Sequence, residues 1–178
     1  LAAWHIMKAL GISAQLHLNK FVSLQAYYTI AGRGLEREIV PLLLDQKIGL
    51  MVWSPLAGGL LSGKYNRQME NTEGRRANFD FPPVNKEKAF DIIDVMKKIA
   101  DAKQSTVAQI ALSWLLHQPS VTTVIVGANK PEQLADNLKS VEVKLSADEL
   151  NQLNEVSKLS PEYPGWMIER QGGDRRKE

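Results

Sequence analysis

The sequence has no cysteine. Disulfide staples are therefore excluded, and so is every metal site that needs a thiolate. Histidine is nearly as scarce, with three in all. His5, His17 and His117 stand far apart, so they read as structural or solvated side chains and no metal site is expected. Long apolar runs are also missing, and no stretch is long enough to span a bilayer. Neither sign of charge dominates: 22 Lys and Arg face 20 Asp and Glu, for a net +2. That balance gives no reason to invoke nucleic acid or an anionic membrane. What remains is 178 residues, 44% apolar and 24% charged, the profile of one cytoplasmic globular domain.

One stretch carries a chemical signature. "WSPLAGGLLSGKY" (Trp53 to Tyr65) contains Gly58-Gly59-Leu60-Leu61-Ser62-Gly63-Lys64, the G-x-x-x-x-G-K spacing of a phosphate-cradling loop. An ATP loop needs Ser or Thr next, because that hydroxyl holds magnesium. Tyr65 stands there instead. Such a loop also needs a helix directly behind it, its N-terminus toward the phosphates. The following "YNRQMENTEGRRANFDFPP" is polar, contains Gly and two Pro, and has no helical period, so it reads as a long loop. The motif fits an anion and fails for ATP.

Around it, helical and strand-like text alternates. Leu1, Trp4, Met7/Lys8 and Ile12 recur at helical spacing, which predicts a helix over 1–10 closed by Gly11. That helix has no Ser, Thr, Asp or Asn before it and the chain opens on Leu, so sequence upstream is expected. "FVSLQAYY" (Phe21 to Tyr28) is β-branched and aromatic and predicts a strand. Gly34 to Lys47 has helical period, with Leu35, Ile39, Leu42 and Leu43 on one side and a kink expected at Pro41. "IGLMVWS" (Ile48 to Ser54) is almost wholly apolar, as in a strand buried on both faces. Two helices follow the long loop: Asn85 to Lys103 with Asn85 as cap, and Ser105 to Gln118 with Ser105 as cap. "VTTVIVGA" (Val121 to Ala128) reads as a third strand. Pro131 opens the next helix, and Ser146 with Glu149 forms a capping box for another. Residues 160–178 read as a frayed tail. Strands separated by helices predict parallel βα units, with the three strands adjacent in chain order.

In order and spacing, "SLQAYY", "VWSPLAGGLLSGKY" and "VIVGANKPEQLADNL" make the chain similar to the C-terminal half of an aldo-keto reductase. It most resembles the bacterial branch that also includes the potassium-channel β subunits. The resemblance implies an α/β fold, the C-terminal part of a (β/α)8 TIM barrel comprising strands six to eight with their helices. Residues 1–178 would then be a partial domain whose N-terminal half is absent. It implies NADP(H) as cofactor, a small carbonyl compound as substrate, and reduction of aldehydes or ketones to alcohols.

Carried over position by position, Gln25 would end strand six and hold the nicotinamide carboxamide. Trp53 would end strand seven with its ring against the nicotinamide. Ser54, Pro55, Leu56, Gly58 and Lys64 would line the pyrophosphate, the glycines letting backbone N–H groups approach. Arg76 would reach the cofactor. Gly127 would end strand eight. Asn129, Lys130 and Gln133 would meet the 2′-phosphate, with Lys130 supplying the charge that Asn129 lacks. Asp136 and Asn137 would contact the adenine. Taken by themselves, Gln25 also reads as a strand cap, Trp53 as core packing and Gly58-Gly59 as an ordinary turn.

The family's catalytic Asp, Tyr, Lys and His come from the first four strands. No residue here matches them, and Tyr27, Tyr28 and Lys64 are not substitutes. The chain alone is expected to be inactive and to bind NADP(H) weakly if at all, and its open barrel edge to make it self-associate, pair with the missing half or remain partly molten. A non-catalytic NADP(H)-binding subunit like the channel β subunits, or an inactive truncated fragment, are the alternatives.

Overall fold

The computed structural model describes residues 1–65, 67 and 79–175. Its helices are α1 (Ala3–Gln15), α2 (Ile39–Gln46), α3 (Lys86–Lys103), α4 (Val107–Leu116), α5 (Pro131–Leu138), α6 (Ala147–Ser157) and α7 (Gly165–Arg175). Its strands are β1 (Ser23–Tyr27), β2 (Gly49–Trp53) and β3 (Val121–Val124). They form one sheet in the order β1-β2-β3, and both pairings are parallel. Parallel strands need a crossover that returns the chain to the starting edge. Here α2 makes the first, and the segment through α3 and α4 makes the second. The three parallel strands are as expected.

Strand alternation gives the sheet two unlike faces. Leu50 and Val52 of β2 are fully buried, in one cluster with Leu43, Ile92, Ile93, Met96, Ile110, Trp114 and Leu115 from the helices. On the other face Ser23, Gln25 and Thr123 are exposed, while Met51 and Trp53 are half-buried. The reading of β2 as buried on both faces is thus corrected: burial alternates along it. Its near-continuous apolar text gives no alternation to read, and among the described residues only one face is covered by helices. Between β2 and β3 the register slips at Leu50/Met51. Gly49 lies where a Cβ would come within 2.7 Å of the Thr122 hydroxyl, so this close approach requires glycine.

Several local expectations change for physical reasons. Helix α1 runs through Gly11 to Gln15, because glycine in a helix weakens it without stopping it. Its buried stripe is Ile6, Leu10 and Ser13, while Leu1, Trp4, Met7 and Ile12 all face outward and are exposed. Pro41 does not kink α2. It is the third residue of that helix, where an N–H has no intrahelical partner to lose. The cap of α4 is Thr106 and not Ser105, since only Thr106 has a Gln three residues on to complete a capping box. Asn85 and the Ser146–Glu149 box cap α3 and α6 as expected. The tail is not wholly frayed: Gly165–Arg175 is helical. β3 stops at Val124, short of Ala128.

Candidate functional site

Because β1, β2 and β3 are parallel, the loops that leave them emerge at a common, carboxyl edge. Tyr27 and Trp53 end β1 and β2 directly opposite each other, so both side chains project to the face away from the helical core. Their rings are 5.2 Å apart and tilted by 42°. Phe81 lies against Trp53, nearly parallel at 6.0 Å, and Phe79 continues the row 5.4 Å beyond Phe81. The alternating aromatics in "FDFPP" are the sequence signal for this row.

Behind Trp53 the chain coils through left-handed backbone. Ser54, Ala57, Gly58, Gly59 and Gly63 all have φ between 50° and 95°. Such φ values are strained for side chains with a Cβ, so the glycines shape the coil. The N–H groups of Gly58 and Gly59, however, are turned inward. Gly58 donates to the Ser54 hydroxyl at 3.1 Å, and Gly59 donates to the Leu56 carbonyl at 3.0 Å. The expected glycine amides that approach a phosphate are thus already hydrogen-bonded within the loop. The coil is held by buried Pro55, Leu60 and Leu61, while Leu56 is half-buried against the same core. Its far end sits on α4: a Cβ at Gly63 would be 3.0 Å from the Val107 side chain. Lys64 follows, exposed and without an ion pair among the described residues. Beyond it Arg67 pairs with Asp94 at 2.7 Å and with Asp91, fastening the chain to α3. Arg76 lies outside the described residues.

The segment after β3 supplies the neighbouring wall. Ile125 still donates to Val52, and Gly127 follows in irregular, exposed backbone. Gly127 therefore lies beyond the strand end instead of closing it. The Asn129 N–H donates to the Gln133 side-chain oxygen at 3.1 Å, so Gln133 is occupied in forming the start of α5. Lys130 is the extended cap residue before Pro131, exposed, with no ion pair among the described residues. Asp136 faces α4: its carboxylate accepts from Gln109 at 2.8 Å and from Thr106 at 3.2 Å. Asn137 is buried.

At the carboxyl edge Trp53 and the 54–64 coil follow β2, and Gly127, Asn129 and Lys130 follow β3. Gln25 lies two residues before the end of β1, opposite Met51 and exposed on the uncovered face; it does not end the strand. Asp136 is committed to helix packing. Among the described residues no group of His, Asp and Glu is arranged to hold a metal ion.

A second polar centre braces the edge from the side. Arg33 holds Glu36 through two bonds of 2.8 and 2.9 Å, and donates to Ser157 and to the Asn154 carbonyl on α6. Tyr28 donates to Glu36 at 2.6 Å. Burial first, then the Glu36 carboxylate, pushes the Tyr28 phenol far above its ordinary range. At neutral pH it is a fixed donor, unsuited to release a proton. No sequence motif announces the join to α6, because Arg33 and Ser157 lie 124 positions apart.

An open parallel α/β sheet with loops and cationic side chains at its carboxyl edge is the general architecture in which α/β proteins take ligands. The sequence narrows this class: the model of the Aldo/keto reductase family matches residues 2–158, and the chain belongs to that family. It is 32% identical over 167 residues to a versiconal hemiacetal acetate reductase of Aspergillus parasiticus, covering 93% of this chain and 48% of that protein. A protein of Arabidopsis thaliana named "Probable voltage-gated potassium channel subunit beta" is 33% identical over 170 residues, 92% of this chain and 52% of its own. An "NADH-specific methylglyoxal reductase" of Escherichia coli (strain K12) is 31% identical over 134 residues, 75% of this chain and 41% of its own. The chain spans about half the length of the curated relatives it matches. No helix among the described residues is long and apolar enough to cross a membrane.

Proposed function

We propose that this chain forms the cofactor-binding part, strands six to eight, of an NADP(H)-dependent carbonyl reductase of the aldo-keto reductase family. The observation that carries the reading is the carboxyl edge: one aromatic platform, Trp53, beside a left-handed coil and two lysines, Lys64 and Lys130, that have no acidic partner among the described residues. A dinucleotide needs those three things: a flat surface for its ring, a polar bend for its pyrophosphate and positive charge for its phosphates. The nicotinamide would supply the hydride. In this reading Trp53 orients the ring and Gln25 holds its carboxamide from the uncovered face. The Ser54 hydroxyl and Lys64 serve the pyrophosphate, in place of the glycine amides. Lys130 meets the 2′-phosphate, which favours NADP(H) over NAD(H). Gly127 leaves open space beside them.

The proton donor and its partners are not matched by any residue of this chain, so hydride transfer here would lack the electrostatic stabilisation that a developing alkoxide needs. The carbonyl substrate would meet those groups on the remainder of a full-length barrel. The sheet face that no helix covers among the described residues and the exposed Trp4, Leu16, Phe21 and Val22 favour association of the isolated chain. A second reading, a cofactor-binding subunit without turnover, is favoured by the similarity to the Arabidopsis channel subunit.

An NMR titration of the 178-residue chain with NADPH and NADH tests the reading. Weak binding is expected, with amide shifts centred on 53–64 and 127–133 and tighter binding of NADPH. Lys130→Ala should weaken NADPH by about tenfold, the size of one charge-assisted contact, and leave NADH unchanged. An assay of NADPH oxidation with aldehydes should show no turnover. Absence of shifts at that edge at millimolar nucleotide sinks the cofactor reading. Turnover by the chain alone sinks the assignment of the chemistry to other strands.

A further inference from the structure

We infer that Phe81 competes with the nicotinamide ring for Trp53, and so sets how tightly the site holds the reacting end of its cofactor. This rests on the reading of Trp53 as the platform for that ring. Three observations carry it. Trp53 projects from the end of β2 on the face opposite Leu50 and Val52, the face that no helix covers among the described residues. Phe81 lies against it at 6.0 Å with only 13° between the ring planes, the arrangement of an offset stack. Tyr27 is tilted by 42° to the same indole, so Phe81 is the ring that occupies the stacking position. The third observation is exposure: Phe81 is 39% and its neighbour Phe79 57% exposed. Phe81 can therefore leave Trp53 without opening a cavity in the core. The segment remains tethered when it does so, because Asp80 pairs with Lys86 at the start of α3 at 2.9 Å.

A nicotinamide ring and a phenyl ring are both flat six-membered rings, and one stacking surface takes one of them. Ring binding then includes the loss of the Phe81 contact. The other end of the cofactor, which meets the coil and Lys130, bears none of that loss. The two ends should respond differently to one substitution.

The test is an NMR titration of the 178-residue chain, as wild type, Phe81→Ala and Phe81→Leu, with two probes. NADPH carries the ring; 2′,5′-ADP carries the phosphates and adenosine alone. Phe81→Ala should tighten NADPH by about threefold to tenfold, the size of one aromatic stack, and leave 2′,5′-ADP unchanged. Phe81→Leu, which keeps apolar bulk at the position, should tighten NADPH by less. Unchanged or weaker NADPH binding in both variants, with 2′,5′-ADP still bound, overturns the competition and leaves the cofactor site standing. Equal tightening of both probes also overturns it. If neither probe binds any of the three proteins, the cofactor reading itself has failed and this inference falls with it.

Discussion

Replacing Arg33 with Ala should loosen the joint between the end of β1 and α6. The guanidinium lies 5.3 Å from the centre of the Trp114 ring and makes four hydrogen bonds, two to Glu36, one to Ser157 and one to the Asn154 carbonyl. Asn154 in turn accepts from the Trp114 indole N–H at 3.0 Å. The pair is neither deeply buried nor open: Arg33 and Glu36 side chains keep 14% and 22% of their exposure. Breaking one side of a fully buried pair costs about 3–5 kcal/mol, whereas an exposed pair contributes about 0–1 kcal/mol. The bidentate geometry and intermediate exposure put Arg33→Ala at about 2–3 kcal/mol. Urea unfolding measures this, provided the slope m is unchanged. Glu36→Ala and the double variant complete the cycle, and their coupling should exceed about 1 kcal/mol. A loss below about 0.5 kcal/mol for Arg33→Ala, or additivity in the double variant, would refute the claim that this network joins the two elements.

The Tyr28 phenol titrates higher in the folded chain than in the unfolded one. The folded state therefore binds the proton more tightly, and stability present below about pH 10 should fall as pH rises beyond it. Tyr28→Phe should flatten that alkaline fall in a chemical-denaturation series, and an unchanged slope would count against it. Gly63→Ala places a Cβ on left-handed backbone at φ 82° and 3.0 Å from Val107. A loss of about 1–2 kcal/mol is expected from the strain alone, with shifted amides at the start of α4, and a neutral variant would show that the coil is not seated there. Burial raises the Glu149 carboxyl, but the Ser146 N–H and Lys103 outweigh it and hold the group below its ordinary range. The stability this adds should be present above about pH 4.3 and be lost as pH falls further. Ser146→Ala should cost about 1 kcal/mol through the lost cap, visible as a lower urea midpoint at pH 7.

The local text of this chain determined its elements. Asn85, Pro131 and the Ser146–Glu149 pair act over one helical turn, so a reader of the sequence meets both partners within a few letters. The same holds for the β-branched and aromatic runs that became β1 and β2, and for the crossovers that make them parallel. The family, too, was legible, since "SLQAYY", "VWSPLAGGLLSGKY" and "VIVGANKPEQLADNL" keep their order. What needed the tertiary structure is the use made of each group. Gly58 and Gly59 invite a phosphate by their spacing, yet their amides are already bonded within the coil, because the left-handed turns bring Ser54 and Leu56 within reach. Asp136 accepts from Gln109 and Thr106 only because α4 is packed beside it, a partnership its place in the sequence does not show. Trp4 and Ile12 have the periodicity of a buried stripe, but Ile6 and Leu10 are the residues turned inward. Helical spacing shows that a face is apolar and cannot say what covers it. That depends on which elements arrive from far along the chain, and neither burial nor hydrogen-bond partnership is a property of a residue until they do.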